Sequence, residues 1–179
     1  MDADMRQRLA AKPKLAQTSR AASPIHVKVA VHTIKKHKKD NAVGPKRIRK
    51  MIDIVNGAYG GAQSKTATNT RFRFKLKSMD WTVNKNWYKA EPDTKAERDM
   101  KRALHQGNAA TLNIYLLEPA NYMWATGPTD ARESLKMDGV VIMQSSLWGG
   151  SLEGSDLCAT GFTRGQNDRM VLYWLAYRR

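Results

Sequence analysis

Histidine, cysteine and acidic side chains are the groups that most often hold a metal ion or move a proton at an active site. The 179-residue sequence contains four histidines, His26, His32, His37 and His105, and one cysteine, Cys158. His26 and His32 share the parity of an alternating segment, but six residues of extended chain put them roughly 20 Å apart. We therefore expect no catalytic residue and no metal ligand among these side chains, and predict solvent-facing or hydrogen-bonded histidines.

A glycine-rich segment over residues 60–66 superficially matches a phosphate-binding loop. It has Ser64 where the glycine before Lys65 is required, and it follows a predicted helix instead of a strand. The sequence therefore gives no support for a nucleotide site there.

Basic residues are the second group that could bind a ligand. The formal net charge is +15, and residues 1–50 hold 14 of the 31 lysines and arginines but 3 of the 16 acidic residues. Such a segment can bind nucleic acid or an anionic surface by neutralising phosphates, although a solvated tail and one charged helix face are the commoner explanation. The possible anion contacts are Lys35, Lys36, Lys38 and Lys39, around a loop without interleaved aromatic residues, and Arg71 and Arg73, on one side of a strand.

Strands and helices alternate along the chain. Hydrophobic patterns predict strands over residues 25–34, 70–77, 112–117 and 140–143. The pattern leaves open whether the last of these is a buried strand or an edge strand. Helices are predicted from Pro45 to the glycine pair at 60–61, and from a capping box at Thr94 and Glu97 to Gly107. Trp81, Trp87 and Tyr88 are predicted to lie in a loop over residues 79–92. This order predicts an α/β layered domain with a largely parallel sheet.

Length and composition predict about one domain, with residues 1–24 as a flexible basic lead-in. No apolar run approaches the roughly 18 residues needed to cross a bilayer, so no membrane partner is expected. The N-terminus lacks the apolar core of a secretory signal peptide, and a single cysteine excludes an internal disulfide. Localisation stays open at this point.

Nine short segments between residues 25 and 151 occur in an order that is shared with a known family. They are Ile25–His32, Ile52–Tyr59, Phe72–Leu76, Asn86–Tyr88, Met100–Gly107, Leu112–Tyr115, Trp124–Thr126, Asp138–Ile142 and Ser145–Ser151. Together they resemble the pappalysin-type metalloproteases, a branch of the metzincins.

The resemblance implies a mixed, mostly parallel zincin-like sheet and a secreted zinc endopeptidase that cuts peptide bonds with zinc-activated water. It also implies that Gly139, Val140, Val141 and Ile142 form an antiparallel edge strand that pairs with an extended protein or peptide substrate. In that family a glycine-rich loop leads to a last strand and a helix with His-Glu-x-x-His. Histidines four apart on one helix face hold the zinc ion, and the glutamate acts as general base.

The sequence departs from the family pattern at that point, because no histidine follows His105 and no glutamate follows Glu153. We therefore expect no cofactor and no activity of this polypeptide, although the family uses zinc. Residues 152–179 are either the product of a frame shift, retained intron or gene-model error that truncates the domain before its active-site helix, or the tail of a diverged relative. Residues 170–177 are apolar enough to dock on the sheet. The alternatives to a truncated protease are a basic nucleic-acid- or anionic-surface-binding module and a non-catalytic peptide-binding homologue.

Overall fold

The computed structural model describes residues 3–10, 23–120, 123–126, 134–147 and 162–178. The helices are α1 (Ala3–Ala10), α2 (Pro45–Tyr59), α3 (Lys85–Tyr88), α4 (Lys95–Leu104) and α5 (Arg164–Tyr173), the last continued by a π-helical stretch over Trp174–Arg178. The strands are β1 (Ile25–Lys35), β2 (Phe72–Val83), β3 (Thr111–Leu117), β4 (Trp124–Ala125) and β5 (Val140–Met143).

The five strands form one sheet in the order β2-β1-β3-β5-β4. The first four strands of that order run parallel, and β4 pairs with β5 in the antiparallel direction. The predicted α/β architecture with a mostly parallel sheet is confirmed. The central position of the third predicted strand is also confirmed, because β3 lies between β1 and β5 and is almost fully buried.

Helix α2 covers one face of the sheet. Pro45 occupies its first turn, and its apolar side chains Ile48, Met51 and Ile52 pack into a core with Val29 and Val31 of β1. Burying each such side chain contributes about 1.5–3 kcal/mol. The helix ends before Gly61, whose positive φ of 76° and close approach to the carbonyl of Ala67 exclude a side chain there.

Helix α4 covers the opposite face, where Met100 packs against Ile34, Tyr115 and Val141. Its N-terminus differs from the predicted capping box in one half. The Thr94 hydroxyl accepts the expected hydrogen bond from the Glu97 N–H, but the Glu97 carboxylate reaches the N–H of Asp93 instead of that of Thr94. The spacing of Thr94 and Glu97 in the sequence could not show that the Glu97 carboxylate also contacts Lys101 and Trp124 in the fold.

Strand β2 is longer than predicted, and the prediction of a loop over residues 79–92 is wrong. Trp81 lies within β2, whereas Trp87 and Tyr88 lie on the short helix α3. The register with β1 shifts between Val29 and Ala30, where β2 carries one extra residue at Lys77. Such a bulge reverses the alternation of apolar and polar residues, which hides the second half of the strand from a period-two pattern.

The chain after residue 161 packs on the same sheet face as α2. Val171, Leu175 and Ala176 are buried against Val27 and Phe72. The Arg178 guanidinium pairs with both oxygens of the buried Asp138 carboxylate and also donates to the carbonyl of Ala109. Residues 170–177 therefore dock on the sheet as their composition predicts.

Residues 3–10 differ from the predicted flexible lead-in, because they form helix α1. The segment is rich in alanine, leucine, methionine and arginine, which favour helices, and the Arg8 guanidinium lies 5.0 Å above the Tyr177 ring. The rest of the predicted lead-in up to residue 22 lies outside the described residues. No helix among those described is long and apolar enough to cross a membrane.

Candidate functional site

The edge of the sheet that the family resemblance assigns to substrate is formed by β4. Strand β5 lies one position further in, because it pairs with β3 from Ile114↔Val140 onwards and with β4 through Trp124↔Val141. The prediction that Gly139, Val140, Val141 and Ile142 form the antiparallel edge strand is therefore wrong. A two-residue strand carries no detectable period, so the sequence could not separate β4 from its neighbour. Contact of these four residues with substrate stays a prediction.

Gly139, just before β5, allows β3 and β5 to approach each other closely. Its φ is 142°, and a Cβ atom there would lie 2.7 Å from the carbonyl oxygen of Asn113 and 2.7 Å from the Tyr115 ring. The Gly139 carbonyl accepts a hydrogen bond of 3.0 Å from the Thr126 N–H, just past the end of β4. A residue with a side chain would push β3 and β5 apart and loosen this attachment.

Helix α4 fixes the other side of β4 through two buried charges. The Lys101 ammonium lies 2.7 Å from Glu97 Oε1, and the two side chains are 1% and 5% exposed. The same carboxylate oxygen accepts a hydrogen bond of 2.6 Å from the Trp124 indole N–H, while Lys101 donates to the Thr126 hydroxyl at 3.1 Å. The ion pair therefore positions both ends of the edge strand. Sequence reasoning missed it, because Glu97 was assigned to a helix cap.

The histidines do not come together. His26 and His37 are exposed at opposite ends of β1, and His32 is fully buried in the middle of that strand. His105 follows α4, where burial is the main cause that lowers its pKa; Asp138 opposes this shift, and His32 and Lys136 add to it.

His32 is held by polar groups on both sides. Its Nδ1 lies 2.7 Å from Asp80 Oδ2 and its Nε2 lies 3.1 Å from Asn113 Oδ1. The Asn113 amide cannot be flipped, since its oxygen accepts from the Gln106 N–H and its nitrogen donates to the Gln106 carbonyl. Both imidazole nitrogens therefore face oxygen atoms that can accept a hydrogen bond. The expectation of a hydrogen-bonded histidine is confirmed here.

The family resemblance implies a zinc ion, and the described residues do not fit one. A histidine ligates zinc through a ring nitrogen that has no other partner, whereas both ring nitrogens of His32 lie within hydrogen-bond distance of Asp80 and Asn113. Over the described ranges no three histidine, cysteine, aspartate or glutamate side chains are arranged so that they could share a metal ion. Cys158 lies outside these ranges.

The six predicted anion contacts fall into two separate groups. Arg71 and Arg73 lie beside the first residues of β1, whereas Lys35 ends that strand, roughly 30 Å away at about 3.3 Å per residue. Arg71 donates to the Ser23 carbonyl, and Arg73 donates to the Asn69 side chain and nearby carbonyls. The two arginines thus stabilise the start of β2 through hydrogen bonds to neighbouring residues. Lys36, Lys38 and Lys39 are exposed, and the Lys35 ammonium donates to the Lys38 carbonyl.

Polar residues that the sequence did not single out join the carboxyl ends of the parallel strands. The Gln144 amide donates to the carbonyls of Ile34 and Leu116 and accepts from the Val43 N–H. The Glu118 carboxylate accepts from the N–H and hydroxyl of Ser145. These hydrogen bonds connect the ends of β1, β3 and β5 to one another, and the residues that form them line a polar cleft of about 300 Å³.

Comparison with known proteins relates the chain to secreted proteases. No protein-family model matches it. It is 34% identical over 112 residues to an extracellular metalloprotease of Colletotrichum graminicola. The matched region covers 60% of this chain and 36% of that protein. An extracellular metalloprotease of Neurospora crassa is 28% identical over 144 residues, covering 76% of this chain and 46% of the relative. The chain thus spans between a third and a half of the length of these relatives.

Solved structures give the fold. Mature mirolysin of Tannerella forsythia, in complex with a cleaved peptide, matches with a TM-score of 0.55 and 19% identity over 80% of this chain and 60% of that one. A promirolysin mutant matches with a TM-score of 0.56 and 19% identity over 89% of this chain and 59% of that one. The chain is therefore similar in sequence to the extracellular metalloproteases, a metallopeptidase family, and has the zincin-like α/β fold of mirolysin.

Proposed function

We propose that this chain is a pappalysin-type relative of the extracellular metalloproteases that binds an extended peptide along β4 and that does not itself hydrolyse it. The observation that carries the proposal is the fixed antiparallel edge strand. Within the described part of the chain β4 is the last strand of the sheet, and the Glu97–Lys101 pair holds both of its ends. An edge of this kind is where an extended peptide adds a strand.

The geometry of β4 identifies the groups that would bind the peptide. The Thr126 N–H points inward to the Gly139 carbonyl. Because successive residues of a strand direct their N–H and C=O groups to opposite sides, those of Ala125 point away from β5. Ala125 is also exposed. We propose that the Ala125 N–H and C=O hydrogen-bond to the peptide backbone, and that Gly139 to Ile142 support β4 from behind.

The absence of hydrolysis is proposed from the residues of this polypeptide. The 179 residues contain no His-Glu-x-x-His segment, and the described histidines do not form a ligand set. Among the residues that the structure describes, the α-helix that follows β5 is α5, whose sequence contains neither histidine nor glutamate. Metal and general base would therefore have to come from outside this sequence.

The packing of residues 162–178 supports the second account of the tail, in which it is a genuine part of a diverged relative. Val171, Leu175 and Ala176 are buried, and Arg178 compensates the charge of the buried Asp138. A tail from an unrelated reading frame has no reason to place apolar and basic residues in this order. We propose accordingly that residues 162–178 belong to the same folding unit as the five-stranded sheet.

The test uses the 179-residue polypeptide. It is incubated with zinc and dialysed, and its zinc content and its cleavage of an unfolded protein such as casein are measured with and without chelator. The proposal predicts no stoichiometric zinc and no chelator-sensitive cleavage, together with saturable binding of oxidised insulin B chain. Stoichiometric zinc or chelator-sensitive cleavage would contradict the inactive assignment, and absence of peptide binding would contradict the role of β4.

A further inference from the structure

Six exposed cations gather at the carboxyl end of β1. We name this surface the basic end; it consists of Lys36, Lys38 and Lys39 on the loop after β1, and Lys46, Arg49 and Lys50 on the first turns of α2. Two acidic residues, Asp40 and Asp53, lie within the same segment of the chain, residues 36–53. The Asp40 carboxylate accepts a hydrogen bond from the His37 N–H, and Asp53 lies one turn further along α2 beside a shallow cleft of about 560 Å³. Within that segment exposed cations therefore outnumber acidic residues by three to one.

An indole ring contacts the segment that joins the two groups of cations. Trp81 of β2 is 39% exposed, although tryptophan is usually well buried. Its N–H donates to the carbonyl of Val43 at 3.0 Å, and Val43 lies between Lys39 and Lys46 in the chain. Trp81 also points to the same sheet face as Met79, which packs into the core beneath α2. The hydrogen bond fixes the orientation of the ring while leaving part of it accessible.

We propose that the basic end binds single-stranded nucleic acid, with a base stacked on Trp81 and phosphates bound by the six cations. Surfaces that take single strands combine a charged track with aromatic rings on which bases stack. The loop sequence lacks such aromatics, but the fold supplies one from β2. A sulfated glycan would bind the same cations without needing the indole, so dependence on the ring separates the two classes of partner.

The number of cations sets the expected salt dependence. For single strands log K falls with log salt concentration with a slope of about −0.7 per phosphate contacted, so six contacts give about −4. Replacing two of the lysines should change the slope by about 1.4. Loss of one stacked base should weaken binding roughly 5- to 150-fold.

The test measures binding of an oligothymidylate to the full chain over a range of salt concentrations, with quenching of tryptophan fluorescence as second readout. The double variant Lys38→Gln/Lys39→Gln should reduce the magnitude of the salt slope by about 1.4. The control Lys75→Gln/Lys77→Gln removes the same charge from exposed positions of β2 outside the basic end, and it should leave the slope unchanged. Trp81→Leu should weaken binding and reduce quenching. Trp81→Phe keeps a ring and should retain most of the affinity, which separates stacking from loss of the Val43 hydrogen bond.

Four results would overturn the proposal. These are no binding at low salt, equal loss of salt slope in the two double variants, equal affinity of Trp81→Leu and the unchanged protein, and heparin binding that is as tight as that of the oligothymidylate and independent of Trp81.

Discussion

The buried pair of Lys101 and Glu97 gives a quantitative test of how β4 is positioned. Lys101→Met keeps most of the side-chain volume and removes the ammonium group, leaving the Glu97 carboxylate 5% exposed without its counter-charge. Removing one partner of a buried pair costs about 3–5 kcal/mol. Glu97 keeps hydrogen bonds from the Trp124 indole and the Asp93 N–H, so we expect the lower end of that range, about 3 kcal/mol.

Urea unfolding measures this loss. With a slope of about 2 kcal/mol per M, the midpoint should fall by about 1.5 M. The matched control is Lys95→Met on the same helix, because Lys95 pairs with Asp99 at the surface with side chains 82% and 39% exposed. That exposed pair should contribute less than about 0.5 kcal/mol.

If Lys101→Met is too unstable to fold, the double variant Glu97→Gln/Lys101→Met decides the matter. It leaves no buried charge, so it should be more stable than Lys101→Met alone by at least about 1 kcal/mol. Equal losses in Lys101→Met and Lys95→Met, or a double variant less stable than the single one, would refute the reasoning.

Two further predictions concern stability. Gly139→Ala should lower the free energy of unfolding by about 2–4 kcal/mol, because φ is strained there and a Cβ atom would lie 2.7 Å from the Asn113 carbonyl oxygen. The control Gly57→Ala, on α2 with open space around it, should be neutral or stabilise by up to about 1 kcal/mol. Equal thermal shifts in the two variants would contradict this. Burial is the main cause that lowers the pKa of His105 in the folded state, so the unfolded chain binds more protons there and stability should fall as pH drops through about 6.5. In His105→Asn the urea midpoint should change less between pH 7 and pH 5 than in the unchanged protein. An unchanged pH dependence would show that His105 is not responsible.

Elements with a continuous pattern could be predicted from the sequence. The apolar face of α2 indicates burial on one side, and the apolar run of β3 indicates burial on both. The alternation of β1 identifies the strand, but its second half is buried on both sides, which a period-two pattern does not indicate. The predicted β2 ends at residue 77, because the bulge at Lys77 interrupts the alternation, and Trp81 is therefore predicted to lie in a loop. Its position beside the basic end depends on pairing between distant segments, which no local pattern contains.

The candidate site was less accessible to sequence reasoning for the same reason. Strand β4 has two residues, which pair with β5 and contact α4, so the sequence predicts the edge strand at Gly139, Val140, Val141 and Ile142 instead. Glu97 matched a capping box, but its main partners are Lys101 and Trp124. The position of His32 between Asp80 and Asn113 depends on the pairing of three strands, which only the fold specifies.

The most direct measurement of the central claim is calorimetric binding of oxidised insulin B chain to Ala125→Pro and Ala125→Ser, at high salt so that non-specific charge attraction is screened. Proline removes the outward N–H of β4 without removing a hydrogen bond to β5, whereas serine keeps that N–H and changes only the side chain. We expect Ala125→Ser to bind as the unchanged protein does, and Ala125→Pro to fold but to lose binding. Undiminished binding by a folded Ala125→Pro variant would contradict it.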